Sequence, residues 1–88
     1  MIKFAICDDE PFMVQEISNH LSQYLSERAI SSYHVNSFSN GRFLLDSDYD
    51  FDMIFLDIQM EQPNGMETAK ILRQRKNHSL VVFVTVLK

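Results

Sequence analysis

An apolar run that ends in a carboxylate occupies residues 51–57: Phe51-Asp52-Met53-Ile54-Phe55-Leu56-Asp57. Short continuous runs of this kind, rich in branched and aromatic residues, are typical of parallel strands that are buried on both faces. Ligands of open α/β sheets bind outside the carboxyl ends of the strands, so an acid placed there lies at the functional edge. Residues 1–10 (MIKFAICDDE) repeat the pattern of a short apolar strand followed by acids. We therefore predict that these two strands are neighbours and that their carboxylates lie together.

The composition is that of a small, acidic, globular chain. It has 88 residues, of which 45% are hydrophobic and 23% are charged, as in one ordinary soluble domain. The formal net charge of -4 argues against a nucleic-acid surface, which needs a basic stripe. No apolar run approaches the roughly 20 residues that cross a bilayer, and the first strand is too short for a signal peptide. Cys7 stands alone, so it forms no intrachain disulfide and is predicted to be core packing in a cytoplasmic protein.

Three helices are predicted between the strands. Acids followed by Pro11 start the first helix, and apolar residues at three- and four-residue steps continue it over residues 11–28. A short second helix is predicted through residues 42–45. The third covers residues 66–74, with Asn64 as its cap or turn residue and Gly65 allowing positive φ or a close backbone approach.

Two further strands complete the pattern. Residues 33–38 alternate weakly and are mostly polar, which fits an edge strand, whereas residues 80–85 are strongly β-branched and predict a buried one. The alternation β-α-β-α-β-α-β favours a parallel α/β sheet, and its simplest strand order is 2-1-3-4, the beginning of the flavodoxin-like order. Acids at positions 46, 48, 50 and 52 resemble a calcium loop only superficially, because the required glycine and closing glutamate are absent.

In this order the first and third strands meet where the winding of the chain reverses, which is the expected binding crevice. Asp8, Asp9 and Asp57 converge there, and Thr85 reaches the same edge on the fourth strand. Crowded carboxylates repel one another, so one takes up a proton or a cation lies between them. Such a site suits Mg²⁺, and a carboxylate beside Mg²⁺ can attack phosphorus to form an aspartyl phosphate. The alternative is that the acids only cap helices and solvate loops, which is weaker for Asp57 because no helix starts directly after it.

The chain resembles the receiver domain of two-component response regulators, a CheY-like fold, over essentially all of its length. The matching residues form three separated motifs: Asp8-Asp9-Glu10, residues 55–60 with Gly65 eight positions past the acid, and Phe83-Val84-Thr85. The residues around Asp57 and at 64–67 are most similar to receivers that precede LytTR-type DNA-binding domains. The resemblance implies a partial receiver over residues 1–88, with the fifth strand and the last helices missing.

The resemblance also implies a role for each site residue. Asp57 would be the phosphoacceptor of a sensor histidine kinase, and Thr85 the switch hydroxyl that turns toward the phosphoryl group. Asp9 and Asp57 would bind Mg²⁺ directly, Asp8 would act through water, and Gln59 would contribute its backbone carbonyl. The output would be a separate domain, expected to bind DNA and absent from this chain. The chain itself would be no enzyme beyond self-catalysed phosphotransfer and autodephosphorylation.

Several positions depart from the family pattern. The phosphate-contacting lysine of the family follows a fifth strand, and Lys88 is too close to Thr85 to replace it. Glu61 stands where the family usually has proline, and Val86 where it commonly has a small residue. The missing lysine and Val86 favour a second hypothesis, a non-phosphorylated pseudo-receiver that acts as a protein-interaction or dimerisation module, whereas the intact acid triad favours the phosphorylated receiver. A haloacid-dehalogenase hydrolase is disfavoured, because Gln59 stands where that family needs a second aspartate.

The same pattern predicts self-association. Right-handed crossovers would place the first helix on one face of the sheet and the other two helices on the opposite face. The one-helix face would be poorly covered, and residues 80–84 would form a flat apolar edge that invites pairing with another chain. We therefore expect fourth strands to pair or to exchange between copies.

Overall fold

The structure is a computed structural model that describes residues 1–47 and 50–84. Strands and helices alternate there as the sequence predicts, in the order β1 (Ile2–Cys7), α1 (Pro11–Glu27), β2 (Tyr33–Phe38), α2 (Gly41–Asp46), β3 (Met53–Asp57), α3 (Gly65–Gln74) and β4 (Leu80–Val84). The predicted class, an α/β fold, is confirmed. Thr85, predicted to end the fourth strand, lies outside the described residues, as do Val86 and Lys88.

The four strands form one parallel sheet in the order β2-β1-β3-β4, which confirms the predicted arrangement. The register of β1 and β3 pairs Ile6 with Phe55 and Cys7 with Leu56. Because these pairs are the last before the acids, Asp8 and Asp57 follow at the same level of the sheet. The register is therefore what brings the two acidic segments together.

The two faces of the sheet pack against different helices. Ala5, Cys7 and Ile54 belong to the core beneath α2 and α3, where they meet Leu44 and Leu72. Since side chains alternate along a strand, Phe4 points to the opposite face, where it packs with Leu21 and Leu25 of α1. This arrangement agrees with the predicted division of one helix against two.

The face that carries α1 is incompletely covered within the described residues. An open groove of about 540 Å³ lies between α1 and β4. Its floor includes the apolar side chains of Phe4, Met53, Phe55, Val82 and Val84. The outer edge of β4 has no paired strand in the described part of the chain, and Leu80 is 56% exposed there. The expected apolar edge is therefore present.

Side-chain caps start the two shorter helices. Asn64 accepts a hydrogen bond from the Glu67 N–H at 2.9 Å, and Glu67 accepts one from the Asn64 N–H at 3.1 Å. This reciprocal capping box satisfies two amide groups that a helix otherwise leaves unpaired. Of the two predicted roles of Asn64, helix cap or turn residue, the structure confirms the cap. Asn40 caps α2 through a single bond, since its side chain accepts the Phe43 N–H at 2.8 Å.

Candidate functional site

Three carboxylates meet at the carboxyl ends of β1 and β3. One oxygen of each of Asp8, Asp9 and Asp57 lies within 4.8 Å of the others. Asp8 and Asp57 are buried, with 3% and 6% of their surface exposed, whereas Asp9 is exposed. The structure therefore brings together the three acids that the sequence singled out. Burial of two of them argues against the alternative in which they only solvate loops, because an ionised carboxylate is costly to bury.

Short backbone turns hold the two buried acids in place. One oxygen of Asp8, Oδ1, accepts the N–H of Glu10 at 2.9 Å. The same atom of Asp57 accepts the N–H of Gln59 at 3.0 Å. The short side chain of an aspartate readily accepts a hydrogen bond from the amide two residues further on, and this bond fixes the direction of the carboxylate at the strand end. Both carboxylates are thus oriented by their own loops.

Burial and the crowding of the acids raise the pKa values of Asp8 and of Cys7. Burial is the largest influence on the pKa of Asp8 and raises it. The hydrogen bond from the Glu10 amide lowers this pKa, and the charges of Asp57 and Asp9 raise it, so that its value is about 6. Burial and then the charges of Asp8, Asp57 and Asp9 raise the pKa of the Cys7 thiol to about 12. The thiol therefore stays protonated, and its Sγ lies 3.8 Å from the Sδ of Met60. The interpretation of Cys7 as core packing is confirmed.

The oxygen cluster fits a small divalent cation. Within residues 1–47 and 50–84, His20 of α1 pairs with Glu16, and no basic side chain forms an ion pair with any of the three acids. Mg²⁺ binds oxygen ligands at about 2.0–2.1 Å in an octahedron, which places ligand oxygens about 3–4 Å apart. Oxygens that lie within 4.8 Å of one another need little adjustment to reach this geometry. These residues therefore fit Mg²⁺ by donor type, spacing and charge.

The backbone behind Asp57 approaches α3 closely. The N–H of Gly65 donates to the Ile58 carbonyl at 3.2 Å. A Cβ on Gly65 would overlap the Asp57 carbonyl oxygen and lie 2.7 Å from the Cα of Ile58. Gly65 does not have a positive φ, so close approach is the correct one of the two predicted reasons for a glycine here. The start of α3 is thereby pressed against the main chain of Asp57.

Two contributors to the site region escaped the sequence analysis. Met60 lies in the loop after β3, yet it is 8% exposed and its Sδ contacts the Sγ of Cys7 beneath the acids. Thr68 is fully buried in α3. A polar residue in a helix is not expected to be buried, so the sequence did not indicate this position. An apolar residue in a polar loop was the available signal for Met60. The Gln59 carbonyl stays a predicted ligand, and Thr85 lies outside the described residues.

Comparison with known proteins identifies the family. The model of the response regulator receiver domain matches residues 4–88, so the chain belongs to this family. It is 35% identical over 83 residues to an uncharacterized response regulatory protein of Vibrio cholerae, covering 92% of this chain and 30% of that protein. It is 30% identical over 87 residues to the sensory transduction protein LytT of Bacillus subtilis, covering 97% and 34%. The chain thus spans about a third of the length of these curated relatives.

Solved structures show the same fold. The response regulator TrrA of Thermotoga maritima, crystallised in complex with Mg²⁺-BeF, superposes with a TM-score of 0.82 at 23% identity. That match covers 100% of this chain and 72% of TrrA. The chemotaxis protein CheY4 of Vibrio cholerae gives a TM-score of 0.77 at 23% identity, covering 100% and 71%. Among the described residues, none of the helices has the length and apolar character needed to cross a bilayer.

Replacing Gly65 with alanine is expected to destabilise the protein. The added Cβ would overlap the backbone of Asp57, and overpacking of this kind costs about 1–3 kcal/mol, more than the ~1 kcal/mol that alanine gains in a helix. Urea unfolding of Gly65→Ala measures the change. Met66→Ala, at the exposed neighbouring position, is the control and should be close to neutral. Equal stability of Gly65→Ala and the wild type would contradict the close approach.

Without divalent ions, Asp8 should make the free energy of unfolding fall as pH rises from about 4 to 6. Unfolded Asp8 ionises near 3.8 and folded Asp8 near 6, so unfolding releases a proton in this window and rising pH favours the unfolded state. Asp8→Asn keeps the Oδ1 acceptor and should remove this contribution, about 1 kcal/mol after solvent screening. Urea unfolding in chelator across this range checks it, with Asp46→Asn as control. A constant difference between Asp8→Asn and the wild type across the window would count against the assignment.

Proposed function

We propose that the chain is a phosphoacceptor receiver in which Asp57 is phosphorylated by a sensor histidine kinase in the presence of Mg²⁺. The observation that carries the proposal is the meeting of Asp8, Asp9 and Asp57 at two neighbouring strand ends. Membership of the receiver family supports it. An isolated acid at a strand end has many uses, but three crowded acids without a basic partner among the described residues call for a cation.

The proposed reaction transfers a phosphoryl group from a phosphohistidine to Asp57. One carboxylate oxygen of Asp57 attacks phosphorus, the P–O bond forms as the P–N bond breaks, and the histidine nitrogen leaves with a proton from solvent. The Gln59 amide holds Oδ1, which leaves Oδ2 for the attack. Asp57 is thus oriented before the donor arrives, and positioning of this kind is a large part of phosphoryl-transfer catalysis.

Asp9 and Asp57 would hold Mg²⁺ directly, with Asp8 acting through water and Gln59 through its backbone carbonyl. When bound, the ion offsets the charge that the carboxylates and the phosphoryl oxygens bring together. It also favours the ionised form of Asp8, whose pKa is raised in its absence. Thr85 is proposed as the switch hydroxyl, because a phosphoryl group on Asp57 adds about -1.5 to -2 charge and strong acceptor oxygens.

The output is proposed to belong to another domain. The relatives are about three times longer than this segment, and the net charge of -4 does not suit direct contact with DNA. We propose a LytTR-type DNA-binding output and hence transcription regulation. The chain would turn over no separate substrate, and its chemistry would be limited to self-catalysed phosphotransfer and autodephosphorylation. A cytoplasmic location is proposed with it, in line with the single reduced Cys7.

A second candidate is an interaction module that works without phosphorylation. The groove between α1 and β4, together with the exposed apolar edge of β4, favours it. A flat apolar edge strand offers unpaired backbone groups to another chain. We propose that copies of the chain self-associate through this edge, whether or not Asp57 is phosphorylated.

Phosphorylation should depend on Asp57 and on Mg²⁺. Incubation with a small acyl phosphate and Mg²⁺ is expected to add one phosphoryl group to the wild type, measured by intact mass. Asp57→Asn should gain none, because the amide cannot attack phosphorus. Asp52→Asn is the matched control, since this acid lies just before the opposite end of β3 and should leave the reaction unchanged. A wild type that stays unmodified and shows no NMR response to beryllofluoride would leave the interaction module as the function.

Self-association should require the β4 edge. Analytical ultracentrifugation is expected to show species heavier than the monomer at high concentration for the wild type. Val82→Glu places a charge at the centre of this edge and should shift the equilibrium to monomer by about tenfold or more. Leu80→Lys tests the same edge at a more exposed position. Ser37→Glu, on the opposite edge strand β2, is the control. A wild type that is monomeric throughout would refute this part of the proposal.

A further inference from the structure

The first residue of α2 is in contact with a buried threonine of α3. A Cβ on Gly41 would overlap the Oγ1 of Thr68 and lie 3.1 Å from both the Cγ and the carbonyl oxygen of Pro63. Thr68 is fully buried and Gly41 is buried as well. A glycine backbone against an enclosed side chain leaves no flexible group to absorb a displacement. The contact therefore couples the position of α2 to that of α3.

Thr68 is fixed by hydrogen bonds to the end of the loop that follows Asp57. Its hydroxyl donates to the Asn64 carbonyl at 2.8 Å, and the Pro63 carbonyl lies further off at 3.5 Å. The backbone N–H of Thr68 donates to the same Asn64 carbonyl at 2.9 Å. A buried hydroxyl that lost its acceptor would be costly, so this bond is expected to hold. Thr68 thus ties the loop end to the first turn of α3.

The next contact reaches the proposed acceptor itself. Gly65 follows Asn64 and lies against the main chain of Asp57 and Ile58. Gly41, Thr68, Asn64, Gly65 and Asp57 therefore form a continuous series of contacts. It runs from the start of α2 to the backbone that carries the acceptor carboxylate.

We propose that Thr68, held against Gly41, is a positioning residue for the acidic site. It sets the loop of residues 58–64, and through it the placement of the Asp57 carboxylate and the Gln59 backbone. The affinity of the site for Mg²⁺ and the reactivity of Asp57 then depend on the contact between α2 and α3, although neither Thr68 nor Gly41 belongs to the acid cluster. The inference rests on the proposed function.

The two properties of the Thr68 side chain can be separated by substitution. Thr68→Val keeps the shape and removes the hydroxyl, whereas Thr68→Ser keeps the hydroxyl and removes a methyl group. Thr68→Val should weaken Mg²⁺ binding by about threefold to thirtyfold, the range of coupling through a packed network, and Thr68→Ser should restore most of the affinity. Calorimetric titration with Mg²⁺ measures both.

A double-mutant cycle tests the contact with Gly41. Gly41→Ala should weaken Mg²⁺ binding because its Cβ displaces the Thr68 hydroxyl. In a Thr68→Ala background the same change has no Oγ1 to displace and keeps only the 3.1 Å approach to Pro63, so its effect on Mg²⁺ affinity should be clearly smaller. An effect of Gly41→Ala that is equal in both backgrounds would overturn the proposed contact.

Loss of stability alone is excluded by a matched control. Leu25→Ala opens a cavity in the core beneath α1, on the other face of the sheet, and should destabilise the protein at least as much as Thr68→Val. Under conditions where all variants are folded, Leu25→Ala should bind Mg²⁺ like the wild type. Equal weakening by Leu25→Ala and Thr68→Val would overturn the positioning role.

NMR without metal separates this inference from the proposed function. The amide signals of Ile58 and Gln59 should shift in Thr68→Val and stay in place in Thr68→Ser and Leu25→Ala. A wild type that binds no Mg²⁺ would overturn the proposed function, whereas these shifts would still show that Thr68 positions the loop. Unchanged shifts and affinities in Thr68→Val, beside normal Mg²⁺ binding by the wild type, would overturn the inference alone.

Discussion

Repulsion among carboxylates at two paired strand ends is the constraint on which the rest of this structure depends. Cys7 pairs with Leu56 in the parallel register of β1 and β3, so the next residues of the two strands, Asp8 and Asp57, lie side by side. No basic side chain among the described residues offsets this charge. Burial is the largest cause of the raised pKa of Asp8, and the charges of Asp57 and Asp9 raise it further. The fold therefore holds the three carboxylates in an electrostatically unfavourable arrangement.

Rigidity is what makes such an arrangement possible. Ile6, Ile54 and Leu56 are wholly buried in the central strands, and the parallel pairing on both sides prevents the strand ends from moving apart. The loop after β3 is then held from its far end by the Asn64 cap and the close approach of Gly65. The buried core and the strand pairing thus offset the electrostatic repulsion among the three acids. The face of the sheet that carries α1 has an open, largely apolar groove, which we propose as a contact surface for other chains.

The sequence predicted those features that depend on periodicity and on the ends of elements. Apolar runs located β1 and β3, their terminal acids located the site, and Asn64 was predicted as a cap or turn residue. It did not predict contacts between elements that are far apart in the chain. Thr68 is buried because Gly41 of another helix lies against it, and Met60 because Cys7 lies beneath it. Neither contact leaves a pattern in the sequence, since each depends on how the helices pack on the finished sheet.

The central claim, that the ends of the first and third strands share one divalent ion, is tested most directly by paramagnetic broadening of amide signals with Mn²⁺ in place of Mg²⁺. At low Mn²⁺ the amides of Asp9 and Asp57 should broaden together, and added Mg²⁺ should restore both. The amides of Tyr33 and His34, at the start of β2 and the opposite end of the sheet from the acids, should persist at that concentration. Broadening centred on Asp50 and Asp52, near the opposite end of β3, or confined to one of the two strand ends, would contradict the account.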